Sequence, residues 1–308
     1  MSELKRYRTM VSDNALWVDF PFRADDIVIS PPAKCGTSWM QMLCALLIFD
    51  TPRFHRPLTE ISPWLDATTY DFTATVATLE AQKHRRFIKT HTPLDGLPIV
   101  EGVTYICVGR DPRDVAISFD HAMANVAPEA MQKAAAMVGL GPDDAPPPPP
   151  EDPVERFRIW ADAEFINGPD GMGATMANMI HHLQTYWDRR HEPHVVLFHY
   201  HELLADLPGQ MRRLADALGI DVTTERIEQL AAEAAFDRMR DRADELAPGL
   251  DSNIWRSNRA FFHSGTSGQW RGLLGPDDIR HYQDRLAELA SPDLIDWLHT
   301  GSAGGPDR

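Results

Sequence analysis

The sequence predicts an α/β fold: a single domain in which a central parallel sheet is flanked by helices. Three observations predict it. Four short apolar runs read as buried strands, helical patterns alternate with them, and the first run passes through a glycine-containing loop straight into a helix.

Asp26-Ile27-Val28-Ile29-Ser30, β-branched at its centre and ending in Pro31-Pro32, is the first strand, and a helical run follows from about Thr37 to Phe49. Phe87-Ile88-Lys89 is the second strand and Thr104-Tyr105-Ile106-Cys107-Val108 the third. Asp111-Pro112 then supplies an N-cap and a proline at the first helical position, which is a strong helix start. Val195-Val196-Leu197-Phe198 is the fourth strand, with helices before it (about Thr175 to Arg190) and after it (about Leu207 to Leu218, closed by Gly219). The domain spans residues 1–300, with an irregular Pro/Gly-rich insertion at 135–175 and a flexible tail at 301–308. The insertion holds five successive prolines, Pro146 to Pro150, and the three-glycine stretch Asn167 to Gly173. Its readings are a pair of surface loops or the wall or lid of a ligand pocket.

The formal net charge of −15 argues against surfaces built for nucleic acid or acidic membranes. It leaves room for a small anionic ligand, because screening acts over about 8 Å and a few local lysines outweigh distant carboxylates. Cys35, Cys44 and Cys107 are odd in number and unpaired in spacing, as expected of free thiols in a reducing compartment. Met1 to Phe20 mixes charges without an apolar run, so no signal peptide is read there. The longest apolar stretch, Trp39 to Phe49, is interrupted by Gln41 and falls short of the roughly 20 residues of a membrane span. A cytoplasmic protein without a membrane span is expected.

Pro32-Ala33-Lys34-Cys35-Gly36-Thr37-Ser38-Trp39 turns a strand into a helix and has the makings of a phosphate site. Gly36 permits close backbone approach, and the first amides of the helix point at an anion. Lys34 adds a full charge, and Thr37 and Ser38 add hydroxyl donors. The Walker A pattern differs: its lysine follows the second glycine, whereas Lys34 precedes Gly36. Read alone, the loop is equally an ordinary turn with a solvated lysine. Arg110 ends the third strand on the side where ligands bind in open α/β sheets, and Ser118 lies two turns into the next helix. A guanidinium fork and a hydroxyl suit a second phosphate; the alternative is that Arg110 pairs with Asp111 or Asp114. Lys89-Thr90-His91-Thr92-Pro93 ends the second strand and places His91 beside the phosphate loop, where it can take a proton from a hydroxyl while Lys34 and Lys89 stabilise charge on a leaving oxygen. His199 and His201 share a strand face in this reading. No third ligand accompanies them, so no metal is expected.

These separated motifs, from about Asp26 to Arg271, resemble the sulfotransferases that use 3′-phosphoadenosine 5′-phosphosulfate, and within them the mycobacterial-type glycolipid enzymes; the shared runs include Arg86 to Leu97, Tyr105 to Asp114 and Leu197 to Tyr200. The resemblance implies a fold related to nucleotide kinases with their phosphate-binding loop, and no metal. It implies that Lys34, Cys35, Gly36, Thr37, Ser38 and Trp39 hold the phosphosulfate end, with Trp39 near the adenine. Arg110 and Ser118 take the 3′-phosphate, Tyr200 and Phe236 contact the adenine, and His91 is the base assisted by Lys89. Ala33 stands where the family often has proline. A larger departure lies in Phe262-His263-Ser264-Gly265-Thr266-Ser267-Gly268-Gln269-Trp270-Arg271: the glycines and tryptophan align with the family, but His263 and Ser264 replace an arginine and a lysine that clamp the 3′-phosphate. Backbone amides around Gly265, or Arg259 or Arg271, are the candidates to compensate.

The expected activity is in-line sulfuryl transfer to a hydroxylated acceptor, lipophilic or glycolipid, with Phe54, Ile61, Trp64, Leu65 and the insertion forming an apolar entrance or, alternatively, ordinary core. An ATP-dependent phosphotransferase and a non-catalytic nucleotide-binding module are the alternative readings.

Overall fold

The computed structural model describes residues 4–137, 139, 141, 148–169, 171–249 and 253–301. Its centre is a four-stranded parallel sheet of order β2-β1-β3-β4, with β1 at Ile27–Ile29, β2 at Phe87–Lys89, β3 at Thr104–Gly109 and β4 at Val195–His199. Ile29 is level with Lys89 on one side and with Ile106 on the other. All three residues of β1 are fully buried, as a strand covered on both faces must be.

The pleat assigns side chains to two cores. Ile27, Ile29, Ile106, Val108 and Phe198 face α1 (Thr37–Phe49) and the Leu207–Ala217 and Thr224–Glu233 helices. Val28, Ile88, Tyr105, Cys107 and Val195 face the Met176–Trp187, Pro276–Leu289 and Pro292–Thr300 helices. Each such aliphatic side chain contributes about 1.5–3 kcal/mol by leaving water. α1 is apolar nearly all round and packs between sheet and helices, so its apolar run is a buried helix. Among the described residues no helix is long and apolar enough to cross a membrane.

Strands and flanking helices lie where the sequence places them, within a residue or a few. Two details differ. The span 135–175 is not irregular throughout: the Pro153–Asp162 helix lies inside it, started by Asp152 as N-cap (its side chain accepts from the Val154 amide) and by Pro153 at the first position. This is the same start signal as Asp111-Pro112. The helix is pinned by Arg156 on Asp120 and by Trp160 Nε1 donating to the Ala174 carbonyl. Residues 142–147, with the first two prolines of the run, and the tail 302–308 lie outside the described residues. Second, β4 reaches His199 and the Tyr200–Ala205 helix begins directly after it. His199 and His201 therefore share no strand face; His199 caps that helix by accepting from the His201 amide.

Arg86 and Asp26, each preceding its strand, form a buried ion pair that latches β2 to β1; Arg86 Nε donates to Asp26 Oδ1 at 2.7 Å and the Arg86 Nη2–Asp26 Oδ2 contact completes the fork. Neither side chain is more than 1% exposed. Removing one charge leaves the other buried and unpaired, so Asp26→Asn should destabilise the protein by about 3–5 kcal/mol in urea unfolding.

Candidate active site

Because β1 lies between β2 and β3, the segments leaving the carboxyl ends of these three strands meet at one edge of the sheet. After β1 the chain turns through Lys34 (φ 67°) and Gly36 (φ 98°), both left-handed. A lysine there stores strain, which is characteristic of functional loops. A side chain at Gly36 would add to it, since a Cβ would sit 3.1 Å from the Tyr200 ring. Gly36 caps α1 without a side chain, so the first-turn amides have no local acceptor. The Thr37 hydroxyl is buried with no partner among the described residues. Cys35 is buried and its thiol is pushed up to about 12 by burial, so it stays protonated. Trp39 donates through Nε1 to the Ala234 carbonyl and meets the Tyr200 ring edge-on at 5.4 Å.

Arg110, at the end of β3, is nearly buried. Its Nη1 donates to the Lys34 carbonyl at 2.9 Å and its Nη2 to the Thr266 carbonyl at 3.2 Å, and the guanidinium lies 4.1 Å over the Tyr200 ring. It pairs with neither neighbouring aspartate: Asp111 holds Arg113, and Asp114 accepts from the Gly268 and Gln269 amides. Arg110 Nε remains buried without a partner, as does the Thr37 hydroxyl, and two orphan donors beside a strained lysine loop fit a polyanionic ligand. Gly265 (φ 63°) has to be glycine, because a Cβ would enter the Phe236 ring. Ser264 Oγ accepts from Thr266 Oγ1 at 3.2 Å, and His263 stacks on His121. Of the two arginines suggested as substitutes, Arg259 pairs with Asp241 and Arg271 lies 5.0 Å over Trp270.

Beyond β2, His91 Nδ1 lies 2.7 Å from the Pro31 carbonyl. A carbonyl only accepts, so Nδ1 carries the proton and Nε2 keeps its lone pair. The Trp64 ring packs edge-on against His91 at 5.0 Å and lies 4.3 Å beneath Lys89 Nζ, while Lys34 Nζ sits 4.6 Å over Phe261. Burial, and then the neighbouring cation Lys89, hold His91 well below the usual histidine value, so it is neutral at neutral pH. Burial lowers both Lys34 and Lys89 to about 8; Arg110 adds to the effect on Lys34, and Asp66 opposes it on Lys89.

Three contributors here were not singled out for this role in the sequence. Asp66 is fully buried and accepts from Thr90 Oγ1 at 2.7 Å and Thr92 Oγ1 at 2.6 Å, fixing the residues on either side of His91. His182 donates through Nε2 to the Ser30 carbonyl at 2.7 Å, and burial lowers it to about 3. Trp64 was read as a pocket wall, and it also seats His91 and Lys89. Only the helical periodicity of Met176–Trp187 hinted that His182 faces inward; nothing in the sequence marked Asp66.

A cavity of about 750 Å³ joins these groups. Every residue singled out from the sequence as catalytic or cofactor-binding lines it except Cys35, which lies beneath the loop. Its lining also has an apolar part, with Met123, Val126, Met131, Met137, Met172 and Trp255 in the wall. Trp64 lines it as expected. Ile61 and Leu65 are core instead, and Phe54 packs on Phe49.

The sulfotransferase domain model matches residues 24–292. The chain belongs to the sulfotransferase family. It is 44% identical to a glycolipid sulfotransferase of Mycobacterium bovis, over 99% of this chain and 97% of the relative. It is 43% identical to one of Mycobacterium tuberculosis, with the same coverage. Among solved structures, a mouse sulfotransferase complexed with PAP has a TM-score of 0.68 at 19% identity, covering 94% of this chain and 93% of its own. Retinol dehydratase in complex with androsterone and PAP has a TM-score of 0.68 at 20% identity, covering 89% and 83%. The latter two share its fold. Sulfuryl transfer from 3′-phosphoadenosine 5′-phosphosulfate to a hydroxyl is the family's reaction, and this chain is a sulfotransferase of that kind.

For this sulfotransferase the two lysines set an alkaline limit. Their folded values lie below the ordinary lysine value, so their charge is lost as pH rises through about 8, while His91 is already deprotonated at neutral pH. The profile of kcat/KM should therefore be flat near pH 7 and fall above about 8. Lys89→Arg, which keeps its charge, should make that limb shallower, leaving only the loss of charge at Lys34. A profile still flat above about pH 11, past even the ordinary lysine value, would remove the lysine charges from the mechanism.

Proposed function

We propose that the acceptor is a glycolipid, whose hydroxyl is sulfated at His91 while its lipid chain occupies the apolar end of the cavity. The observation that carries this reading is the continuity of one cavity from Lys34 and His91 to the methionine-rich wall. Methionine is flexible and polarizable, and suits a long chain of variable conformation. The 44% identity to a glycolipid sulfotransferase over nearly the whole chain supports the same substrate class. The three free thiols fit action in the cytoplasm.

The donor supplies the sulfuryl group. Lys34 to Trp39 hold its phosphosulfate end, Tyr200 and Phe236 its adenine, and Arg110 and Ser118 its 3′-phosphate. His91 Nε2 takes the proton of the acceptor hydroxyl as that oxygen bonds to sulfur and the bond from sulfur to the phosphate oxygen breaks. Its Nδ1–H stays on the Pro31 carbonyl, so the ring does not need to turn. Lys34 and Lys89 stabilise charge on the departing phosphate, adenosine 3′,5′-bisphosphate, in surroundings where burial strengthens each interaction.

His91→Ala should lower kcat by about 10²–10⁴-fold and leave the affinity for adenosine 3′,5′-bisphosphate unchanged by calorimetry. An equal loss of affinity would make His91 structural. For the acceptor, sulfur-labelled donor should label a glycolipid fraction in preference to simple phenols and steroid alcohols. Labelling of the small alcohols alone would overturn the glycolipid assignment while leaving the transfer chemistry in place.

A further inference from the structure

His263 and Ser264 stand where the family commonly carries arginine and lysine, which removes two fixed charges from the 3′-phosphate subsite. In the structure His263 is not alone. Its ring stacks on that of His121, with 3.7 Å between centroids and 26° between planes. His121 lies one turn beyond Ser118 on the Pro112–Ala124 helix.

Asp114, Ser118, His121 and Asn125 form one stripe of that helix, and the stripe holds the carboxyl-terminal loop. Asp114 accepts from the Gly268 and Gln269 amides at 2.7 and 3.0 Å. Asn125 donates to the Ser257 carbonyl at 2.9 Å and accepts from the Ser257 amide at 3.1 Å. The imidazole stack lies along this stripe between the two clamps, one turn from Ser118, and His263 and Ser118 both line the cavity.

The charges around it are cationic. Lys34, on the phosphate loop, lies near enough to repel a charge on His263. Arg240, from the Phe236–Asp241 helix, and Arg259, from the Asn258–Phe261 turn, border a smaller cavity on the other side of His263. The nearby carboxylates Asp237 and Asp241 are engaged by these two arginines at 2.7 and 3.0 Å. Burial, then His121 and Lys34, keep the His263 ring below the usual histidine value. An unprotonated ring stacks without repulsion, but it offers only one N–H. A phosphate dianion arriving at the stack favours protonation, which adds both a donor and a charge.

We propose that the His121–His263 stack takes up one proton from solvent as the donor's 3′-phosphate arrives, and so replaces the arginine–lysine clamp with one that is charged only when occupied. This rests on the family reading of the donor. It makes the contribution of the 3′-phosphate to donor affinity dependent on pH, which a fixed-charge clamp does not.

Calorimetry tests it with adenosine 3′,5′-bisphosphate and, as the probe lacking the 3′-phosphate, adenosine 5′-monophosphate. Titrations in buffers of different ionisation enthalpy count the protons taken up, and comparison between proteins cancels the ligand's own titration. Because Lys34 and Lys89 also titrate at about 8, the monophosphate is the reference. The native protein should take up one proton more with the bisphosphate than with the monophosphate. Its preference for the bisphosphate should fall about tenfold from pH 6.5 to pH 8, the worth of one charge-assisted hydrogen bond. His263→Gln and His121→Gln should lose the extra uptake and about tenfold in bisphosphate affinity, with monophosphate binding retained as proof of an intact fold. His263→Arg should bind the bisphosphate without the extra proton uptake, at least as tightly as the native protein at pH 8. Equal uptake and affinity in the native and both glutamine proteins would overturn the proposal. A native protein that does not prefer the bisphosphate to the monophosphate would sink the donor reading as well, and so separates the two failures.

Discussion

Parallel pairing of β1 with both β2 and β3 is the constraint on which the site depends. Parallel strands present all their carboxyl ends at one edge, so three chain segments far apart in sequence arrive together: the loop after Ile29, the Lys89–His91 segment and Arg110. Short hydrogen bonds then fix the arrivals to one another. His91 holds the Pro31 carbonyl, Ser30 Oγ holds the Thr92 carbonyl, and Arg110 holds the carbonyl of Lys34. The strained left-handed backbone at Lys34 is over-determined by these neighbours, which is how such a conformation persists in a folded protein.

An acidic protein can bind a polyanion because the relevant charges are few, close and sheltered. The net charge of −15 is spread over the chain, whereas Lys34, Lys89 and Arg110 converge on one cavity. Convergence has a cost: burial strips hydration from both ammoniums, and at Lys34 repulsion by Arg110 and Lys89 adds to it, so both lysines fall to about 8. Aromatic faces recover part of it, Phe261 under Lys34, Trp64 under Lys89 and Tyr200 under Arg110. Burial, with Lys89 and then Lys34 adding to it, also keeps His91 deprotonated, as the base role proposed for it requires.

Much of this was legible in the sequence, for physical reasons. Buried parallel strands are continuous β-branched runs, and a strand, a glycine turn and a helix in succession leave a recognisable local pattern, so the sheet and the residues from Lys34 to Trp39 could be read directly. Arg110 was ambiguous because its partners are carbonyls 76 and 156 positions away, and no local pattern reveals those. Asp66 was invisible for the same reason: it acts only by reaching across to Thr90 and Thr92. The apolar wall was sought in Phe54, Ile61, Trp64, Leu65 and the insertion. Trp64 and, from the insertion, Met137 and Met172 line the cavity, whereas Ile61 and Leu65 are core, because hydrophobicity marks a side chain as buried without saying whether core or cavity buries it. The Pro153–Asp162 helix was hidden by the prolines before it, although Asp152 and Pro153 repeated the start signal already recognised at Asp111 and Pro112.

The Pro112–Ala124 helix shows how one element can serve both substrates. Its start is fixed by Asp111 and by Arg113 lying 3.8 Å over Trp270, so its rotation about its own axis is set. One stripe, Asp114, Ser118 and His121, carries the loop assigned to the donor's 3′-phosphate. The adjoining stripe, Val115, Phe119 and Ala122, lines the cavity, and Met123 and Val126 continue it toward the apolar end. A polar face and an apolar face about 100° apart are what a helical repeat supplies most directly. The junction between them, at Ser118, lines the same cavity as His91. On the proposed reading, the boundary between the charged donor and a lipophilic acceptor falls where the polar and apolar stripes of this single helix meet, and a rotation of that helix would disturb both stripes together.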